Sequence, residues 1–398
     1  MPFARARSNL DPEPGEDAVR RSFLKFLGVI GGAALVLPAL AATADAHVLP
    51  AHTRTKAAAT TVYVAPTGSS TRSDTSCRTA GFSDINTAIA AVTNGSTVVV
   101  CRGKYMTDAL VDKPITLQGT GPGTLIDATG QPEVIPGAGG NGVTVLAAKA
   151  TVETLSVVNA SGDGILVAGV DKVSVIATKT AHNGGFGIDL NSTSGSKASA
   201  NTASDNFAGG INVANDLGVP ASHNTINGNR LVHNSNGCGI VLADHTGAGI
   251  FDNSVTANVS DGNGLIADGA GIILASPVPG GAVYDNTLTN NEASGNGIAG
   301  IAVHGHLSGQ NFSGNVFKGN FLGRNNLDGD DPGIATGDVP DPQTTGILVA
   351  TSDPTTITIK NNVIHDDFYG IWTNGGITIV GSNTFANVVV PVFDATMP

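Results

Sequence analysis

The sequence predicts an all-β protein built as a solenoid of stacked coils, on the basis of a repeat, its spacing and its residue pattern. A Gly-Ile doublet recurs along the chain, and the variant Gly142-Val143 precedes the first copy. Successive copies are 22, 23, 23, 29, 32, 29, 46 and 24 residues apart, a minimum spacing with longer exceptions that is typical of coils carrying loop insertions. Each doublet begins a short stretch of alternating apolar residues, as a strand does. One strand per repeat in the same frame predicts parallel strands stacked in ladders. The doublets are Gly164-Ile165, Gly187-Ile188, Gly210-Ile211, Gly239-Ile240, Gly271-Ile272, Gly300-Ile301, Gly346-Ile347 and Gly370-Ile371.

The composition agrees with a β-solenoid and restricts the partners. Glycine is frequent at 53 residues, charged residues make up 13% and apolar residues 41% of the chain, which disfavours both long helices and disorder. The formal net charge is −12. A negative surface disfavours nucleic acid and anionic membranes as partners. We expect a monomer that binds a polysaccharide or oligosaccharide.

The N-terminal 46 residues are predicted to be a targeting segment. Arg20-Arg21 and the residues after it resemble the twin-arginine export signal, and an apolar run from Phe26 to Ala42 follows. Ala44-Asp45-Ala46 fits a small-x-small cleavage site. We expect a protein secreted through the twin-arginine pathway and no membrane association after cleavage; an uncleaved anchor is the alternative. Residues 47–60 are predicted to be a flexible lead-in and residues 61–398 a single domain.

The beginning of this domain has its own pattern. A strand at Thr61-Val62-Tyr63-Val64 precedes a short amphipathic helix predicted over residues 83–92, with Ser83 as its N-cap. Strands at Thr97-Val98-Val99-Val100 and Ile115-Thr116-Leu117 follow. This order resembles the start of right-handed parallel β-helix proteins of the pectate-lyase-like superfamily, in which the helix caps the N-terminal end of the coil. The resemblance implies a right-handed parallel β-helix for residues 61–398 and transfers no catalytic residue.

Cysteine and asparagine residues are assigned structural roles. Cys77 and Cys101 flank the first helix and strand, and export permits a disulfide between them, whereas Cys238 is expected to be a buried free thiol. Pairs of asparagines keep a five-residue interval, which predicts corner residues whose amides stack from turn to turn. His182, His233 and His365 recur before doublets, so we interpret them as part of the repeat. The asparagine pairs are Asn201/Asn206, Asn224/Asn229, Asn253/Asn258, Asn286/Asn291 and Asn315/Asn320.

Residues that break the repeat are the candidates for function. In each doublet strand, the positions two and four residues after the glycine are predicted to face outward. The fourth position is mostly small, and His304 departs from that rule. His306 would face the same side, and Asp244 and His245 follow the strand two turns earlier, about 10 Å away. We therefore predict His304, His306, Asp244 and His245 as catalytic residues.

Other polar or aromatic residues on the same face are predicted to bind substrate. Asp189, Asn212 and Asp216 lie one or more turns before His245. Trp372 is the only tryptophan, and its ring would either form a stacking platform for a sugar or cover the last turn.

The predicted activity is that of a carbohydrate-active protein. A His/Asp groove suits a polysaccharide lyase or a glycoside hydrolase, since inverting glycosidases place their carboxyl groups roughly 6.5–9.5 Å apart. The family resemblance implies Arg or Lys bases with Ca²⁺ in pectate lyases, but the outward face carries neither residue type. A non-catalytic polysaccharide-binding protein and an export-side accessory protein for metal-site assembly are the alternatives.

No resident cofactor is expected, although two segments contain metal-ligand residue types. His304-Gly305-His306 has the spacing of half a metal site. The insertion at residues 323–345 is acidic, and such oxygens are ligands for Ca²⁺, although a solvated loop is the alternative interpretation. Its aspartates are Asp328, Asp330, Asp331, Asp338 and Asp341.

Overall fold

The computed structural model describes residues 59–135, 137–305, 307–327, 344–374 and 381–395, and over these the chain coils into a parallel β-helix. Each complete turn contributes one strand to each of three long sheets, which we call the first, second and third sheet in chain order. Each has eleven strands within the described ranges, in agreement with the repeat. A small fourth sheet of three strands lies between the third and first sheets. Among the described residues, no helix has the length and apolar character needed to span a bilayer.

The first sheet consists of Thr61–Val64, Thr97–Val100, Thr116–Gly119, Thr151–Glu153, Ser174–Ile176, Lys197–Ser199, Thr225–Asn227, Ser254–Thr256, Thr287–Thr289, Val316–Lys318 and Thr358–Lys360. The second consists of Gly103–Met106, Thr124–Asp127, Ser156–Val158, Lys179–Ala181, Thr202–Ser204, Arg230–Val232, Val259–Asp261, Glu292–Ser294, Phe321–Gly323, Val363–His365 and Thr384–Ala386. The third consists of Ala109–Val111, Val143–Val145, Ile165–Ala168, Phe186–Asn191, Gly209–Ala214, Ile240–Ala243, Ile272–Ser276, Ile301–Gly305, Thr345–Thr351, Tyr369–Thr373 and Val390–Asp394. The fourth consists of Ala221–Ser222, Ile250–Phe251 and Val283–Tyr284.

The Gly-Ile doublets lie at the start of the strands of the third sheet. The isoleucines pair in register, Ile165 with Ile188 and Ile188 with Ile211, and all three are fully buried inside the coil. Burial of each such side chain stabilises the fold by roughly 1.5–3 kcal/mol. The preceding glycine is required by close packing, because a Cβ on Gly187 would lie 2.8 Å from the carbonyl oxygen of Gly210. The doublet therefore combines an inward apolar side chain with a backbone that neighbouring turns approach closely.

A short helix at Ile85–Ala91 closes the N-terminal end, as predicted, and a 3₁₀ turn at Cys77–Thr79 precedes it. Ile85, Ala88 and Ile89 are buried against the first turns of the coil. The N-cap is Asp84, whose carboxylate accepts a hydrogen bond from the Thr87 amide at 2.7 Å. The prediction of Ser83 as the cap is therefore wrong by one residue.

The cysteines occur as predicted. Cys77 and Cys101 form a disulfide that joins the 3₁₀ turn to the end of a first-sheet strand. Cys238 is free and half-buried, and its sulfur accepts a hydrogen bond from the Ala270 amide. Burial raises the pKa of the Cys238 thiol to about 11, so it is a thiol rather than a thiolate at neutral pH.

Buried asparagines form three ladders along the corners of the coil, which confirms their structural role. In a typical step, the backbone and side-chain amides of Asn229 both donate to Oδ1 of Asn258 in the next turn, each at 2.9 Å. The ladder between the first and second sheets contains Asn201, Asn229, Asn258, Asn291, Asn320, Asn362 and Asn383. The ladder before the third sheet contains Asn183, Asn206, Asn234, Asn263, Asn296 and Asn325, and ends at Asp367. The ladder before the first sheet contains Asn224, Asn253, Asn286 and Asn315.

Two of the three recurring histidines occupy equivalent corners. His182 and His233 have φ of 57° and 59°, in the left-handed region, and each precedes a ladder asparagine. His365 differs, because the residue before the ladder member Asp367 is Asp366, which takes the corner conformation with φ of 54°. His365 instead ends a second-sheet strand, with its ring 4.3 Å from that of Phe321.

Candidate functional site

The outward side of the third sheet carries a polar cluster in the N-terminal half of the coil. Asp189 and Asn212 are register partners in adjacent strands, at positions that alternate with the inward Ile188 and Leu190. Asn212 Nδ2 donates to Asp189 Oδ1 at 3.0 Å. These two side chains are only 2–5% exposed, so the hydrogen bond lies in a largely dehydrated environment.

Asn191 links two carboxylates of this cluster. Its Nδ2 is 3.4 Å from Asp189 Oδ2 and 2.6 Å from Asp216 Oδ2, which places these two oxygens at most about 6 Å apart. Its Oδ1 accepts a hydrogen bond from the backbone amide of Asp216 at 3.1 Å. A single amide therefore fixes the separation of the two acidic groups.

His245 completes the cluster from the following turn. Its Nδ1 lies 2.5 Å from Asp216 Oδ1, and its backbone amide donates to Asn215 Oδ1 at 2.8 Å. The His245 side chain is 24% exposed and that of Asp216 11% exposed, so this end of the cluster is accessible to solvent. A carboxylate that orients an imidazole is an arrangement suited to proton transfer.

Asp163 adds a third carboxyl group that sequence reasoning missed. It lies at the corner before the third sheet, and its Oδ1 accepts a hydrogen bond from the Phe186 amide at 2.7 Å. Burial raises the pKa of Asp163 to about 7, and the charge of Asp216 adds to this effect. Burial, with the charges of Asp163 and Asp216, also raises the pKa of Asp189 well above its usual value. We call Asp163, Asp189, Asn191, Asn212, Asp216 and His245 the Asp–His cluster.

Raised carboxyl pKa values give this cluster a proton to donate near neutral pH. Desolvation disfavours the charged form of a buried carboxyl, and neighbouring negative charges act in the same direction. Such perturbed groups are found preferentially at functional sites. The cluster thus combines a protonated acid with a carboxylate–imidazole pair, the two components of general acid–base chemistry.

Asp244 does not belong to this surface, which corrects its predicted placement beside His304. The carboxylate is fully buried, and its Oδ1 accepts hydrogen bonds from the amides of Thr246 at 3.1 Å and Gly247 at 2.8 Å. Oδ1 also accepts from Asn215 Nδ2 at 2.6 Å, and Oδ2 accepts from the Ala282 amide at 2.6 Å. Asp244 therefore organises the corner after the third sheet.

Trp372 does not present an open stacking platform. The residue is 2% exposed, and its ring centroid lies 6.5 Å from that of Phe393 in the next turn. It belongs to an apolar cluster on the outward side of the sheet, separate from the coil interior, with Leu348 and Ala302. The second predicted interpretation, a tryptophan that covers the last turns, agrees with this environment.

His304 lies further along the same sheet. It pairs in register with Ala275 and Ala350, as the repeat frame predicts, and it is half-buried. Two turns separate it from Ala243, about 10 Å. His306 and the acidic residues between 328 and 343 lie outside the described residues. Among the residues that the structure does describe, no group of three or more His, Cys, Asp or Glu is arranged to hold a metal ion.

Comparison with known proteins identifies the fold. A family model described as a right handed beta helix region matches residues 134–277. No curated protein sequence matches the chain. The catalytic domain of a GH87 alpha-1,3-glucanase in complex with nigerose is similar in structure, with a TM-score of 0.54 and 16% identity, covering 87% of this chain and 67% of that chain.

Two further solved structures are similar to a comparable degree. A GH136 lacto-N-biosidase from Eubacterium ramulus has a TM-score of 0.52 at 12% identity, covering 82% of this chain and 68% of that chain. The A-module of the mannuronan C-5 epimerase AlgE6 from Azotobacter vinelandii has a TM-score of 0.51 at 18% identity, covering 78% of this chain and 91% of that chain. At these identities the likeness concerns the fold alone. The chain is a right-handed parallel β-helix, as the sequence predicts.

Proposed function

We propose that this chain is an exported glycoside hydrolase whose active site is the Asp–His cluster on the outward side of the third sheet. The observation that carries the proposal is the amide of Asn191, which holds the carboxyl groups of Asp189 and Asp216 at most about 6 Å apart. Retaining glycosidases place their two carboxyl groups about 5–5.5 Å apart. The separation therefore suits a pair of acidic groups on either side of a glycosidic bond.

The environments of the two groups suggest different roles. Asp189, whose pKa is raised by burial, would be the general acid that protonates the leaving oxygen. Asp216, fixed by His245 and Asn191, would be the nucleophile or would act with His245 as the base. Asn212 would hold Asp189 in place. Each role requires only a short movement of the substrate into the groove beside His245.

Electrostatics favours a hydrolase over a lyase. A lyase acts next to the carboxylate of a uronic acid, whose charge must be neutralised in the transition state. The Asp–His cluster contributes three carboxyl groups and no Lys or Arg, and the net charge of the chain is −12. An acidic glycan would be repelled, so the substrate should carry no carboxylates.

The similar structures support carbohydrate as the substrate class. The GH87 and GH136 proteins are named for activities on an alpha-1,3-glucan and on lacto-N-biose units, and they have the same fold. A parallel β-helix presents its long sheets as an extended surface that suits a polymer. His304, and His306 beside it in the sequence, would contact the glycan about 10 Å beyond the cluster. Export through the twin-arginine pathway would bring the protein to such substrates.

The test is a panel of neutral, acidic and amino-containing polysaccharides incubated with the purified protein. We expect new reducing ends from a glycan without carboxylates and no ultraviolet absorption from unsaturated products. Unsaturated products from a uronic acid polymer would identify a lyase instead. A panel that binds the protein without releasing any product would contradict a hydrolase.

A non-catalytic glycan-binding protein is the second candidate, and one observation favours it. Asp189 is 5% exposed and Asn212 2% exposed, so the inner part of the cluster has little contact with solvent. In that case His245 and Asp216 would contact the sugar and Asp189 would only support them. Binding by isothermal titration calorimetry with no reducing ends from the same glycan would be the expected result.

A further inference from the structure

The Asp–His cluster has an excess of hydrogen-bond acceptors. Asn191 Nδ2 and Asn212 Nδ2 donate to carboxylates within the cluster. Asn212 Oδ1 is buried and has no hydrogen-bond partner, although the residue is only 2% exposed. A buried acceptor without a donor costs free energy, about 1–3 kcal/mol. The cluster therefore lacks a group that donates hydrogen bonds.

The same region lacks positive charge. Three carboxyl groups, those of Asp163, Asp189 and Asp216, raise one another's pKa values through their negative charges. The ion pair that the described residues supply to this cluster is the one between His245 and Asp216. Buried charges are stable only when they are paired, so a ligand that brings a cation would lower the free energy of this site.

We propose that the glycan recognised by this cluster contains amino sugars with free, protonated amino groups. This inference rests on the proposed function and names its substrate class. A sugar ammonium has three N–H donors and one positive charge, which match the acceptor at Asn212 and the carboxylate of Asp189. The ring hydroxyls supply further donors for Asp216. Attraction between a polycationic glycan and a chain of net charge −12 would also speed association.

A metal ion would supply charge but fits the residues less well. Asp163, Asp189, Asp216 and His245 are not arranged as a ligand group of three, since no such group occurs among the described residues. An ammonium group accepts a looser set of oxygens than a divalent cation does. The acceptor at Asn212 and the distances within the cluster therefore favour the ammonium.

The test compares two oligosaccharides of equal length, a glucosamine oligomer and its fully N-acetylated form, by isothermal titration calorimetry with the wild-type chain. At about pH 6 the free amines remain protonated. We expect the glucosamine oligomer to bind about 10–100-fold more tightly, the effect of hydrogen bonds to a charged group. Asp189→Asn should remove most of this preference. It replaces a carboxyl that is already largely neutral, so the fold should persist, and Asp216→Asn provides a second variant.

The matched control is Asp205→Asn, which removes the same charge from an exposed corner residue in the neighbouring turn. It should keep the preference within about 2-fold, since exposed charges contribute little. Equal binding of the two oligomers would overturn the inference, as would an Asp205→Asn effect as large as that of Asp189→Asn. Binding of Ca²⁺ alone that is abolished by Asp189→Asn would also overturn it. Hydrolysis of a glycan without amino groups and no amine preference would refute the inference and leave the hydrolase intact, whereas amine-specific binding without any product would do the reverse.

Discussion

Two buried polar regions of the coil, the asparagine ladders at its corners and the Asp–His cluster on the third sheet, differ in how completely their hydrogen bonds are made. In the middle of a ladder each amide has partners in both neighbouring turns, as Asn258 does with Asn229 and Asn291. In the cluster, Asn212 Oδ1 has no partner and three carboxyl groups share one imidazole. Polar residues that repeat satisfy one another, and those that do not repeat leave groups available for a ligand.

The largest expected effect is the removal of a ladder asparagine. Asn258→Ala deletes the acceptor of both Asn229 amides and the donor to the Ile226 carbonyl and Asn291. Because buried partners are left unsatisfied, we expect the free energy of unfolding to fall by about 3 kcal/mol. Urea denaturation with an unchanged m-value measures it.

The comparison variant for this ladder prediction is Asn212→Ala in the Asp–His cluster. It removes one hydrogen bond to Asp189, and should cost about 1 kcal/mol. Equal losses in the two variants would contradict the distinction between a structural ladder and a functional cluster.

The second effect concerns catalysis. His245→Ala removes the imidazole from Asp216, and we expect reducing-end release to fall about 100-fold or more, as for the loss of a general acid–base group. His233→Asn is the matched control, because His233 is exposed at a corner with φ of 59° that asparagine also tolerates. A rate for His245→Ala close to that of the control would remove His245 from the mechanism.

The third effect tests the exception within the ladders. Burial raises the pKa of Asp367 to about 7, and its Oδ2 has no hydrogen-bond partner. The folded state thus binds a proton more tightly than the unfolded state, so stability should be highest below the usual carboxyl pKa and fall as the pH rises toward about 7.

Asp367→Asn should complete the ladder above Asn325 and remove this component of the pH dependence. At pH 8 we expect the variant to be about 1–2 kcal/mol more stable than the wild type, with a smaller difference at pH 4. Urea unfolding at both pH values measures the effect. A variant that is less stable at pH 8 would show that the carboxylate is needed there.

The smallest effect is expected at His304. Register partners Ala275 and Ala350 show that alanine fits this position, so His304→Ala should change the free energy of unfolding by less than about 0.5 kcal/mol. Because His304 lies about 10 Å beyond the cluster, we expect it to affect glycan affinity by about 10-fold rather than the chemical step. Thermal unfolding and KM measured on long and short oligosaccharides separate the two. A large loss of kcat would instead place His304 in the catalytic site.

The sequence predicts most of the coil because its periodic signals have direct structural causes. The doublets mark strands of the third sheet, and the five-residue asparagine interval marks two corners of each turn. The disulfide between Cys77 and Cys101 also follows from its flanking positions. The cap at Asp84 was missed by one residue, since either of two adjacent polar residues can begin the helix.

The candidate site could be predicted only in part. Asp189, Asn212, Asp216 and His245 come together because they share the outward frame. Asp244 follows the end of its strand, where the alternation of inward and outward positions stops, and the loop amides turn it inward. Asn191 departs from the small residues at its position as His304 does, so the same rule would have identified it.

Two features had no signal in the outward frame. Asp163 precedes its doublet at a corner, and only the fold shows that its carboxyl group lies near those of Asp189 and Asp216. The burial of Trp372 depends on Phe393, one turn later in the coil and 21 residues later in the chain.

The most direct test of the account is the rate of reducing-end release by Asp216→Asn, measured beside its unfolding midpoint. Asp216 contacts both Asn191 and His245, so it connects the acid and imidazole parts of the cluster. The account predicts a rate about 100-fold below that of the wild type, with the free energy of unfolding changed by no more than about 1 kcal/mol. A rate equal to the wild type in a folded variant would contradict it, because the cluster would then be one more structural element of the coil.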